Sequence, residues 1–194
     1  MPKEFLKKYF SEITDILEDI DTDEFELFIV ELKRVLKRSA SIFVCGNGGS
    51  ASTASHLACD INKGVSSKDK KRFKVICLND NVPTMLAYAN DMTYNDIFSE
   101  QLKNFLKKGD LVIGISASGN SENVLRAVRY ANRRGVRTFG LCGFGGGRLK
   151  DAASKSIVVN SADMQKVEDA HAIILHCVMQ WLKIYLVDRH GKEL

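Results

Sequence analysis

His56 and Asp60 stand four residues apart in the stretch GNGGSASTASHLACDINK, residues 46 to 63. On a helix that spacing brings two side chains to one face, one turn apart. An imidazole and a carboxylate so paired can pass a proton or hold a metal ion. Directly before them lies a glycine turn, Gly46, Gly48 and Gly49, entered from the apolar run Ile42, Phe43, Val44. Glycines bring bare N–H groups close to a ligand, and the helix start behind them adds partial positive charge. An anion is expected at this turn. The plain alternative is a strand-turn-helix with a satisfied histidine.

A second polar bend follows the apolar run Leu111 to Ile115, in Ser116-Ala117-Ser118-Gly119-Asn120-Ser121. Three hydroxyls, little bulk and a following helix suit a phosphate monoester better than a dinucleotide. Neither bend has the GxGxxG spacing, and no GxxxxGK[ST] occurs, which excludes a Rossmann or P-loop nucleotide site. In doubly wound sheets ligands gather at the carboxyl ends of strands. The two bends are therefore expected to converge on one crevice.

The elements that must hold these bends read as alternating strands and helices. Residues 1–38 carry two amphipathic helices broken at Asp21-Thr22-Asp23, which supplies a turn and an N-cap. Apolar runs predict strands at 42–44, 73–78, 111–115, 138–142 and 156–159. Helices are expected over about 94–106, at 122–133, at about 149–153 and from Gln165 to Val187, with Asn90 and Asp91 in a turn before the first of these. The fourth strand runs into Gly143-Phe144-Gly145-Gly146-Gly147. Parallel neighbours need helical crossovers, so the fold class is α/β: a three-layer sandwich around a mostly parallel five-stranded sheet, preceded by an N-terminal helical hairpin. One domain is expected over 1–194, with the hairpin at 1–38 and the sandwich at 39–194.

Composition narrows the function classes. The chain has 194 residues, 45% of them hydrophobic, and a net charge of +4, which fits one compact, cytoplasmic globule without a membrane span or a signal peptide. Five cysteines, Cys45, Cys59, Cys77, Cys142 and Cys177, lie far apart without a C-x-x-C pair, so reduced, buried thiols are expected. Cys45 adjoins the glycine turn, but its place at the end of an apolar strand favours packing over nucleophilic chemistry. The densest basic cluster, Lys68, Lys70, Lys71 and Arg72, lacks the interleaved aromatics of a nucleic-acid platform.

The segments CGNGGSASTASH, ISASGNSENV and AYANDMTYNDIF together resemble the sugar isomerase (SIS) domain family, and within it the phosphoheptose isomerases, over nearly the whole chain. The resemblance implies the SIS fold and conversion of sedoheptulose 7-phosphate to glycero-manno-heptose 7-phosphate, in heptose biosynthesis for lipopolysaccharide or other surface glycans. It implies a phosphate cradle of Ser50, Ser116, Ala117, Ser118 and Ser121, with Asn47 and Asp91 on the sugar; Gly48 and Gly49 of the glycine turn complete the candidate substrate site. It also implies a homotetramer with active sites between subunits, and a zinc ion on His56, Asp60, Glu168 and His176.

Two of those positions depart from the family pattern, which has Glu where Asp60 stands and Gln where Glu168 stands. Asp60 is one methylene shorter, and a general base needs reach before it needs a suitable pKa. The base role is thus open between Asp60 and Glu168, with Glu168 replacing or assisting Asp60, and His176 is the acid. Glu168 and His176 are about 12 Å apart along a helix axis, so one ion takes both only by long reach or from different subunits. His171, one turn from Glu168, is a rival partner for it and otherwise a core or interface histidine. Rival functions are isomerisation of a different sugar phosphate, or a non-catalytic SIS-domain regulator that binds a phosphosugar or a protein, such as a replication-initiation regulator.

Overall fold

The computed structural model of the chain describes residues 1–65 and 71–188, with side chains up to residue 186. Lys68 and Lys70 of the basic cluster lie outside the described residues. Five strands, β1 (Ile42–Cys45), β2 (Val75–Cys77), β3 (Leu111–Ser116), β4 (Arg137–Cys142) and β5 (Lys155–Val158), form one sheet in the order β2-β1-β3-β4-β5. Every neighbouring pair is parallel. Side chains alternate across it, and each face is covered by helices. Ile42 and Val44 of β1 join one core with Phe28, Leu57, Val167 and Ile174, while Phe43 and Cys45 join the other with Phe98, Leu102, Val124 and Val128.

The N-terminal helices have different tasks. In α2 (Thr22–Arg38) the residues Phe28, Leu32, Val35 and Leu36 recur at helical spacing and are buried, with Phe28 stacked on Phe139 at a centroid distance of 4.4 Å. The Asp21 carboxylate starts this helix by accepting from the N–H groups of Asp23 and Glu24. By contrast α1 (Pro2–Glu18) has no buried residue. It rests on α8 (Met164–Asp188) through Tyr9, whose hydroxyl donates to Asp169, and through the Lys166–Glu12 ion pair.

Between β1 and β2 runs α3 (Gly49–Cys59), which widens into a π turn over Asp60–Gly64. Observed β2 is shorter than the apolar run 73–78 suggests. It is an edge strand, and on its outer side the Asn62 amide bonds both the N–H and the carbonyl of Val75. Asn90 and Asp91 are not in a turn but end α4 (Val82–Asp91), which starts at the Asn81 cap with Pro83 in its first turn and continues through them. The helix expected from Tyr94 divides into a 3-10 turn, Tyr94–Asp96, and α5 (Ile97–Phe105). Next in order, α6 (Glu122–Arg133) follows β3, and α7 (Gly147–Ala152) follows a 3-10 turn, Phe144–Gly146, after β4. Among the described residues no helix is long and apolar enough to cross a membrane.

Candidate active site

The two polar bends meet. Because β1 and β3 are parallel neighbours, their carboxyl ends lie side by side, and the amide of Asn47 pairs with that of Asn123 in both directions, at 2.8 and 2.9 Å. The Tyr94 hydroxyl donates to the same Asn47 oxygen at 3.0 Å. That contact ties the segment just after Asp91 to the crevice. Asn123 is buried, in the first turn of α6. Neither Asn123 nor Tyr94 was singled out from the sequence, yet both lie inside the motif segments ISASGNSENV and AYANDMTYNDIF. The signal for Asn123 was a polar side chain just past the second bend; Tyr94 follows neither bend and reaches Asn47 only through the fold.

The second bend is built to donate. Ser116 donates to the Ser121 hydroxyl at 3.1 Å, and the Asn120 N–H donates to the Ser118 hydroxyl at 3.2 Å. Ser121 and Ser118 each accept a bond and keep their own protons for a ligand. Ser121 precedes α6 without capping it through its side chain, and a helix start left uncapped can offer N–H groups to an anion. Gly119 permits this shape. Its φ is +64°, and a Cβ there would lie 2.0 Å from the Gly146 carbonyl oxygen.

At the first bend the protein supplies an anion of its own. The Glu168 carboxylate packs so closely on Gly49 that a Cβ would sit 2.2 Å from Oε2. Ser50, the next residue, is buried. Gly48, Gly49 and Ser50 form the expected strand-to-helix bend, and the Glu168 carboxylate lies against Gly49.

Further along α3 three ligand atoms converge. His56 Nε2 lies 2.9 Å from His176 Nε2, and Asp60 Oδ2 lies 3.3 Å from the first and 3.7 Å from the second. All three atoms fall within 4.8 Å of one another. Two donors on one tetrahedral zinc with bonds of about 2.0–2.1 Å stand about 3.3 Å apart, so two imidazoles and a carboxylate at these separations fit the ion, with a fourth position left for water or substrate. The π turn beginning at Asp60 widens the backbone where the carboxylate must reach both rings. Glu168 is not in this group. It lies eight residues before His176 on α8, so the four residues divide into a trio and a separate carboxylate.

The other candidate groups are structural. His171 is fully buried, its Nε2 donates to the Cys142 carbonyl at 3.2 Å, and burial lowers its pKa to about 4. It faces the core rather than Glu168. Burial drives the Cys45 thiol far above its usual range and holds Cys77 and Cys142 at about 12, so none of the three is a ready nucleophile.

Fold and site together define a parallel α/β sandwich with a donor-rich crevice at its strand ends, and the comparisons give its family. The SIS domain family matches residues 8–143, and the chain belongs to that family. Within it the chain is similar to phosphoheptose isomerases. The one from a Nitratiruptor species is 40% identical over 141 residues, 73% of this chain and 75% of that one. The one from Helicobacter pylori (strain Shi470) is 31% identical over 190 residues, 97% and 96% of the two chains. Among solved structures, the phosphoheptose isomerase of Neisseria gonorrhoeae superposes with a TM-score of 0.84 at 25% identity, covering 94% of this chain and 98% of that one.

Proposed function

We propose that the protein is a phosphosugar aldose-ketose isomerase that converts sedoheptulose 7-phosphate to D-glycero-D-manno-heptose 7-phosphate, with zinc on His56, Asp60 and His176. The observation that carries this reading is the Asn47–Asn123 amide pair, which joins a phosphate-type bend to the bend from which the histidine-bearing helix starts. Relatives of 31–40% identity named phosphoheptose isomerase support the substrate.

In this reading the phosphate is gripped by Ser116, Ala117, Ser118 and Ser121, and its binding energy orients the carbon chain along Asn47 and Asp91. The reaction removes a proton from the carbon beside the carbonyl, passes through an enediol and returns a proton to the neighbouring carbon. Acid and base must each reach adjacent atoms. With Asp60 Oδ2 and His176 Nε2 on the ion, each residue keeps a second titratable atom, and Asp60 is assigned as base with His176 as acid. Glu168 lies about two helical turns away along α8, against Gly49, and is left to the sugar's hydroxyls. A bound zinc would polarise a sugar oxygen as a Lewis acid.

The reading includes a cytoplasmic homotetramer with sites between subunits. Free thiols at all five cysteines support the compartment. The exposed apolar residues Phe5, Leu6 and Phe10 of α1 support assembly.

The test is turnover of a panel of C5 to C7 ketose phosphates by the wild type, Asp60→Asn and Glu168→Gln. Expected are turnover of the heptulose phosphate, a kcat loss of about 100-fold or more in Asp60→Asn, and a kcat within a few-fold of wild type in Glu168→Gln. Preference for a shorter sugar would reassign the substrate. Absence of turnover across the panel would favour a binding module instead.

A further inference from the structure

The glycine loop after β4, residues 143–147, packs on the back of the 116–121 bend. Gly143 N–H donates to the Ala117 carbonyl at 2.8 Å, Leu149 N–H donates to the Gly119 carbonyl at 2.8 Å, and the Gly146 carbonyl fills the space beside Gly119. Arg148 closes this contact. Its Nε and its backbone N–H both donate to Asn120 Oδ1 at 3.3 Å. One terminal nitrogen donates to the Asn120 carbonyl at 3.0 Å and the other to Glu122 Oε2 at 3.0 Å.

A guanidinium carries donors and no acceptor. With the Arg148 backbone N–H it holds the Asn120 amide one way round: the oxygen towards Arg148, and the nitrogen towards the Ser118 carbonyl, which it bonds at 2.9 Å. The Asn120 backbone N–H occupies the Ser118 hydroxyl oxygen in turn, leaving the hydroxyl proton free to point outward. Glu122 does not cancel the positive charge of this rim. The same carboxylate is within 4 Å of Arg126 and Arg129, and Arg126 also pairs with Asp96, so three guanidinium groups share two carboxylates.

We propose that Arg148 is a positioning residue that sets the affinity of the 116–121 bend for a phosphate group, acting through Asn120 on Ser118. The proposal rests on the sugar-phosphate reading above and adds a residue outside the bend to it. Arg148 does not touch the phosphate. Its effect belongs to binding rather than to the chemical step.

The test is calorimetric titration of the full-length protein with inorganic phosphate, beside kcat and KM on the heptulose phosphate and a thermal melt. Arg148→Ala is expected to weaken phosphate binding about tenfold and to raise KM by a like factor, with kcat within about twofold. Arg148→Lys keeps the charge and loses the fork, so it is expected to recover only part of the affinity. Because Arg148 acts through Asn120, the double variant Arg148→Ala/Asn120→Ala is expected to bind no more weakly than Asn120→Ala alone. Wild-type affinity in Arg148→Ala, full recovery by lysine, or additive losses in the double variant would each overturn the proposal. If wild type itself binds no phosphate and turns over no sugar phosphate, the parent reading fails and this one with it.

Discussion

At the scale of single residues, burial separates the histidines among the described residues. His56 and His176 are half exposed and aim their Nε2 atoms at a shared point with Asp60, whereas His171 is sealed in the core with its Nδ1 unpartnered. A neutral imidazole that stays neutral down to about pH 4 when folded, but takes a proton near pH 6.5 when unfolded, gives the unfolded state more protons in that window. Stability then falls as pH falls from 6.5 towards 4, by at most about 1.4 kcal/mol per pH unit from this group. In His171→Leu the Cys142 carbonyl keeps its bond from Val159 N–H. Urea midpoints measured between pH 6.5 and 4.5 are expected to drop less in this variant than in wild type. Parallel drops would remove His171 as the cause.

At the scale of elements, α2 is the helix most clearly specified by local sequence, and its ends and its face make separate contributions. Removing the cap in Asp21→Ala is expected to cost about 1 kcal/mol, while Phe28→Ala, which empties a fully buried site stacked on Phe139, is expected to cost about 3–5 kcal/mol. Chemical denaturation of the two variants measures this ratio; equal losses would mean that the helix is held by its start rather than by its contact with the sheet. Elements were legible where the local pattern was clear: α6 spans the residues expected of it, 122–133, and β3 and β4 follow their apolar runs to within one residue. They were misread at β2 and at the end of α4. The bond from Asn62 to Val75 at the sheet edge and the continuation of α4 through Asn90 and Asp91 have no local signature.

At the scale of the whole molecule, the sheet order alone brings the bends after β1, β3 and β4 to one edge, and the trio hangs from two helices, α3 and α8, that the core already fixes through Leu57, Ile61, Ile174 and Val178. Metal removal is therefore expected to abolish activity without unfolding the chain. Dialysis against EDTA should leave the far-ultraviolet circular dichroism unchanged, and zinc should restore turnover. A loss of helical signal on chelation would show that the trio is structural. Light scattering should return the mass of four chains; a monomeric mass with full activity would contradict sites shared between subunits.

The amino-acid order by itself determined the layers, the two donor-rich bends and the pairing of His56 with Asp60, because all of these follow from periodicity and spacing within a few residues. Only the tertiary structure decided that His176 completes that pair while Glu168, on the same helix, does not, and that Arg148 braces the bend from behind. Those contacts join residues 26 to 120 positions apart, and long-range distances of that kind are set by how helices cross a sheet rather than by any local preference of the chain.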